Sequence, residues 1–235
     1  MEEKLLKEFE VLLKERINYF KNFTSFGEDS IRYDFFASLM RTYDLKPHEI
    51  LLEQAIPESQ FVNKDKSVSL GRGRHDYKPE VDLIVPRLGL LQTGIVCEFA
   101  FFRGTEKSEN QDKTGRHGKL LNEIYRLSLM KNYCDYNEFN HYLICITDNE
   151  MMNYGKEGTR GSTPIAISDS YTLDDNFLNQ LKQTARTKID DKFYNMTKKL
   201  GITPIAKRVH KKEFKDDKSA DWAIWIWEVD YRKSD

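Results

Sequence analysis

Hydrophobic positions recur with two different periods along the chain. Over residues 2–21, Leu5, Phe9, Leu12, Leu13, Ile17 and Phe20 stand at helical spacing with Lys and Glu between them, which predicts an amphipathic helix with a solvated charged face. A second helix is expected in "SFGEDSIRYDFFASLMRTY". There Ser25 and Glu28 have the spacing of a capping box, and Ile31, Phe35 and Leu39 line one face; Lys46-Pro47 ends or restarts it.

The period then changes. "SVSLGRGRHDYKPE" is basic and glycine-rich, a loop by composition, and leads into apolar strands at 80–86 and about 94–102. The short "PRLGLLQTG" between them predicts an antiparallel hairpin. "SENQDKTGRHG" reads as a polar loop before a helix, "KLLNEIYRLSLMK", with Leu120, Ile124 and Leu127 inward. The nearly unbroken apolar run of "HYLICITD" predicts a strand buried on both faces. After another loop, "NYGKEGTRGSTP", residues 174–200 read as one long polar helix, and "GITPIAKRVHKKEF" with "ADWAIWIWEVDY" as a terminal hairpin. The order helix, helix, strand, strand, helix, strand, helix, hairpin predicts an α/β fold, a central mixed sheet flanked by helices. The 235 residues suit a single domain with its core at about 25–148 and an accessory element at 174–231.

Composition narrows the classes. Lys and Arg number 37 against 38 Asp and Glu, so any nucleic-acid contact must come from local patches rather than bulk charge. Cys97, Cys134 and Cys145 form no C-x-x-C pair, which suits buried thiols in a reducing compartment and argues against structural zinc. The N-terminus is too charged for a signal peptide, and no apolar run approaches the roughly 18 residues of a membrane span. A soluble, intracellular protein is expected.

The candidate chemistry lies in "PEVDLIV" and "IVCEFAFF", where Asp82 and Glu98 interrupt otherwise apolar strands. Strand alternation puts Glu98 on a face with Val96 and Ala100, and both faces of that strand are apolar. A carboxylate there loses hydration worth several kcal/mol, and a second acid on the neighbouring strand repels it. A divalent cation turns that repulsion into shared coordination. The competing reading has both acids at strand ends, exposed or paired with arginines such as Arg87 and Arg103.

Asp82 after Pro79-Glu80, then Glu98 in an apolar strand, then a helix, resembles the PD-(D/E)XK nuclease superfamily. The resemblance covers roughly residues 25–148 and implies a restriction-endonuclease-like core with a C-terminal helix and β-hairpin. It implies Asp82 and Glu98 as ligands of Mg²⁺, with Mn²⁺ as substitute, the backbone carbonyl of Phe99 completing the cage, and Glu28 as the acid on the first helix. It also implies an endonuclease hydrolysing double-stranded DNA in a prokaryotic cytoplasm, as a homodimer in a restriction or phage-defence setting.

The family's lysine falls where this chain has Ala100. Three readings stay open: a lysine that has migrated to Lys119 or Lys78, a non-catalytic nucleic-acid-binding or assembly protein, or a disabled variant.

Other signals are weaker. Arg72, Arg74 and His75 in "GRGRHD" can reach phosphates or guanine edges, or simply be solvated, and Lys156 and Arg160 suit backbone contacts. Lys207, Arg208, His210, Lys211, Lys212 and Lys215 form the densest basic run, suited to a nucleic-acid backbone or to a solvated hairpin face. The scattered histidines show no ligand spacing, and His117 reads as a surface-loop residue. Trp222, Trp225 and Trp227 crowd one strand, where large aromatics usually form core, with a subunit interface and base stacking as alternatives.

Overall fold

The computed structural model describes residues 1–20, 27–55, 80–102, 113–133, 136–152, 167–216 and 219–233. Helices α1 (Glu3–Phe20) and α2 (Glu28–Tyr43) form where the helical period predicts them, and Leu5, Phe9, Leu13 and Ile17 bury one stripe of α1. Asp44, in the left-handed region at φ 54°, closes α2, and Pro47 opens a 3-10 turn. The N-cap of α2 is Gly27, with no side-chain cap bond, so Glu28 is released from the expected capping role; Ser25 lies outside the described residues.

The strands are β1 (Leu51–Ala55), β2 (Glu80–Val85), β3 (Ile95–Phe102), β4 (Asn140–Asp148), β5 (Ser170–Thr172), β6 (Ile202–Asp216) and β7 (Ser219–Lys233). They form one seven-stranded sheet in the order β1-β2-β3-β4-β7-β6-β5. Among the described strands only β3 and β4 run parallel, and they are joined by α3 (Lys113–Tyr133), as a parallel crossover demands. The β2–β3 and β6–β7 hairpins are antiparallel, as expected.

The chain is thus α/β, with a mixed sheet between two helical layers. On one face α1 and α2 pack on Leu83, Cys97, Phe99, Ile144 and Ile224. On the other, α3 packs on Val96, Ala100, Leu143, Cys145, Trp225 and Trp227. Trp225 and Trp227 share their face with Ala223 and Val229, and all three tryptophans are core residues. Cys97 and Cys145 are free and fully buried, and burial pushes both thiols well above their ordinary pKa. Among the described residues no helix is long and apolar enough to cross a membrane.

Three expectations are corrected. The long helix over 174–200 is instead α5 (Asp175–Gln180), α6 (Gln183–Arg186) and α7 (Asp191–Lys199), following the short α4 (Asn149–Met152). Asp174 and Asp190 start α5 and α7 by accepting the N–H groups of Phe177 and Lys192, and each such cap restarts the helix. The loop expected at 108–118 is helical from Lys113. Its Gly118 is there because a Cβ would lie 2.2 Å from the Ala185 carbonyl oxygen, so α3 and α6 touch backbone to backbone. His117 is therefore a buried helix residue with its ring beside the Tyr171 hydroxyl at 3.3 Å, and burial lowers its pKa to about 4.

Candidate functional site

Asp82 sits where the sheet comes apart. The β2–β3 ladder runs Val85↔Ile95, Ile84↔Val96, Leu83↔Cys97 and stops; one further step in that register would oppose Asp82 to Glu98. On the other side, Leu52↔Leu83 and Gln54↔Val81 pair while the residue between, Glu53, takes φ 49°. Glu53, Asp82 and Glu98 therefore occupy one row across three strands, and regular pairing fails on both sides of the central acid. A non-glycine residue in the left-handed region costs about 1–3 kcal/mol and persists where surrounding contacts over-determine it. Here the contact is Arg32, whose guanidinium donates to Glu53 at 2.7 Å and lies 3.5 Å from Asp82.

Two carboxylates replace the missing backbone partners of β3. The Phe99 N–H donates to Asp82 Oδ2 at 2.8 Å, and the Phe101 N–H donates to Glu28 Oε2 at 3.1 Å. A strand residue points its N–H and C=O toward the same neighbour. The Phe99 carbonyl therefore faces the same opening, where the resemblance requires it.

Glu98 has no exposed surface. It projects to the α3 side, as alternation predicts, and there forms ion pairs shared by the Arg126 guanidinium with Glu123, one turn earlier on α3. Its Oε1 is buried with no donor. Asp82, one step along the same row, is near enough for its charge to act on Glu98. Burial pushes Glu98 well above the usual carboxylate range; Arg126 pulls it down, and Glu123 and Asp82 push it further up. Glu123 is raised as well, by burial first and then by Asp82, with Arg126 and Lys119 opposing.

A cavity of about 370 Å³ opens above this row. Glu28, Asp82, Ala100, Lys119, Glu123 and Arg126 are among its walls, with Phe99. Position 100 thus faces the same space as Lys119, an ammonium presented from the first turns of α3. Burial, then the neighbouring Asp82, push Glu28 up to about 7, against the Phe101 N–H and Arg32; its residue is also open to solvent at the rim, which screens part of that effect.

The predicted Asp82, Glu98, Phe99, Ala100, Lys119 and Glu28 are therefore brought together. The acids do have arginine partners, as the competing reading requires: these are Arg32 and Arg126 rather than Arg87, and Arg103 lies outside the described residues. Among the described residues no three His, Cys, Asp or Glu side chains are already gathered as a ligand group. Sequence reasoning missed Arg32, Glu53, Glu123 and Arg126. The i, i+3 pair Glu123 and Arg126 stands out only once the helix is seen to be buried throughout positions 124–130.

The basic run on β6 is not one stripe. A bulge between Arg208 and His210 shifts the register, so Arg208 opposes Trp227 and Lys211 opposes Trp225 on the α3 face, while His210 and Lys212 oppose Ile226 and Ile224 on the α1 face. Arg208 pairs with Asp169 and lies over Trp225 and Trp227; Lys211 pairs with Glu213 at 2.9 Å; Lys212 pairs with Glu10, and the His210 ring lies 3.2 Å from the same carboxylate. Lys207 and Lys215 are exposed. Arg72, Arg74, His75, Lys78, Lys156 and Arg160 lie outside the described residues.

In comparisons with protein-family models, with curated proteins and with solved structures, the chain matches none. The geometry itself defines a class: an α/β protein with a mixed seven-stranded sheet and, at a break in that sheet, a fully buried acid beside a partly buried one.

Proposed function

We propose that the chain is a divalent-cation-dependent nuclease with a PD-(D/E)XK, restriction-endonuclease-like core. The observation that carries this reading is that Asp82, which lines a cavity together with Lys119, shares a row across diverging strands with Glu98, buried just behind the cavity wall formed by Phe99, Ala100 and Arg126. A buried carboxylate oxygen with no donor, facing a second carboxylate, is stabilised by a proton or by a metal ion. Oxygen donors alone suit Mg²⁺ or Mn²⁺. Asp82, Glu98 and the Phe99 carbonyl would hold it, with Glu28 at the rim.

When bound, the ion supplies Lewis acidity toward a phosphodiester and a water of lowered pKa. The chain's own groups do the remaining work. Lys119 stands in for the missing lysine at position 100, placing its ammonium beside the attacked phosphate and offsetting the charge that develops there. Arg32 and the Phe99 N–H hold the Asp82 carboxylate in its orientation. Double-stranded DNA as substrate, a restriction or phage-defence setting and a prokaryotic cytoplasm follow from the resemblance; cutting both strands in one encounter takes two such sites, hence a homodimer.

The second reading, a binder that retained the nuclease core, is favoured by Ala100 and by the arginine on Glu98. Supercoiled plasmid and Mg²⁺ or Mn²⁺ separate the two. The nuclease reading expects nicking by the wild-type chain, a loss of at least a hundredfold in Lys119→Ala, and recovery in the Lys119→Ala/Ala100→Lys double variant. No cleavage by wild type or by Ala100→Lys, with DNA binding retained, would establish the binder.

A further inference from the structure

The Arg126 guanidinium is the positive charge closest to the acid pair, and nothing in the proposed hydrolysis assigns it a task. It touches both Glu98, which has no exposed surface, and Glu123, and it is itself only 9% exposed. Yet it is not walled in. Besides the cavity above Asp82 it borders a second one, of about 380 Å³, which Glu123 also lines, together with Asn122, Lys188, Asp190 and Phe193. An arginine between two cavities, anchored by a neighbour on its own helix, can swing without unfolding the helix.

We infer that Arg126 is the acid pair's resident cation and that it passes to the substrate phosphate when a divalent ion takes Glu98. This rests on the nuclease reading. Charge drives the exchange: an ion on Glu98 stands beside the guanidinium and repels it, while Glu123 keeps it at the cavity wall. A phosphodiester entering that cavity offers two oxygens that match the guanidinium fork, a geometry an ammonium cannot reproduce. The same side chain thus competes with the metal and assists the substrate. Removing it should move the two affinities in opposite directions, whereas loss of a merely structural residue would weaken both.

The test titrates Mn²⁺, following the free-ion signal by electron paramagnetic resonance, into the full chain and into Arg126→Gln and Arg126→Lys. Affinity for a DNA duplex is measured alongside by fluorescence anisotropy in Ca²⁺. We expect Arg126→Gln to bind Mn²⁺ about tenfold more tightly and DNA about tenfold more weakly than wild type. Arg126→Lys keeps a charge and loses the fork, so it should show a severalfold gain for Mn²⁺ with most of the DNA loss; it also carries the test if the glutamine variant fails to fold. Wild type that binds Mn²⁺ with no gain in either variant, or variants that lose affinity for both ligands, would overturn the role of Arg126 alone. No Mn²⁺ binding by any of the three proteins at millimolar concentration would overturn the metal reading and this inference with it.

Discussion

Glu98→Gln separates a functional acid from a structural ion pair. The substitution is isosteric, so it opens no cavity, and it leaves Arg126 with Glu123 as its partner. Three contributions change together: the Glu98–Arg126 attraction is lost, the desolvation of a fully buried carboxylate is relieved, and the repulsion from Glu123 and Asp82 disappears. The Glu98 pKa lies well above the ordinary range even beside Arg126, so the latter two together outweigh the first. The sign follows. A carboxyl with a raised folded-state pKa binds its proton more tightly in the native chain, so stability falls as pH rises above the ordinary carboxylate range. In EDTA at pH 8, Glu98→Gln should therefore equal wild type or exceed it by up to about 2 kcal/mol, with the difference fading toward pH 4. A structural pair predicts the opposite, a loss of about 3–5 kcal/mol when one buried partner is removed. Urea unfolding followed by tryptophan fluorescence measures this, since Trp222, Trp225 and Trp227 are all buried. A loss of 3 kcal/mol or more in EDTA would refute the reasoning.

Two further predictions concern the scaffold. Burial lowers His117 to about 4 and His141 to about 3, so both are neutral in the folded chain and protonated in the unfolded one below about pH 6.5. As pH drops from 6.5 to 5, each histidine should lower stability with a slope that steepens toward about 1.4 kcal/mol per pH unit, and His117→Gln should remove one such share; an unchanged slope in that variant would contradict the assignment. Gly118→Ala should cost about 2–3 kcal/mol in the same unfolding assay, because its Cβ would meet the Ala185 backbone, and a neutral result would mean that α3 and α6 separate freely.

Much of this architecture is written in local periodicity. The apolar runs of β2, β3, β4 and β7 are long enough to declare themselves, and the amphipathic pattern of α1 fixes its buried stripe. Elements that depend on tertiary contact stayed hidden. β1 is five residues carrying a Glu and a Gln at the sheet edge, and β5 is three residues. Glycines at 115 and 118 signal a loop to any local reading; only the approach of α6 explains why Gly118 belongs in a helix.

The acids show the same division. Asp82 and Glu98 were legible because charge inside an apolar strand is conspicuous. Glu123 and Arg126 were not, since polar residues at i, i+3 on a helix are ordinary until the helix is known to be buried along that side. The basic run on β6 misleads for the opposite reason: strand alternation parts its members onto two faces, and the bulge between Arg208 and His210 changes which of them share one.

The central claim is that Asp82 and Glu98 together capture a divalent ion. Crystals grown with Mn²⁺ and measured at its absorption edge test it directly. The account predicts one anomalous peak between those two carboxyl groups, with the Arg126 guanidinium drawn off Glu98. A map with no peak there, and Arg126 still seated on Glu98 at saturating Mn²⁺, would contradict it.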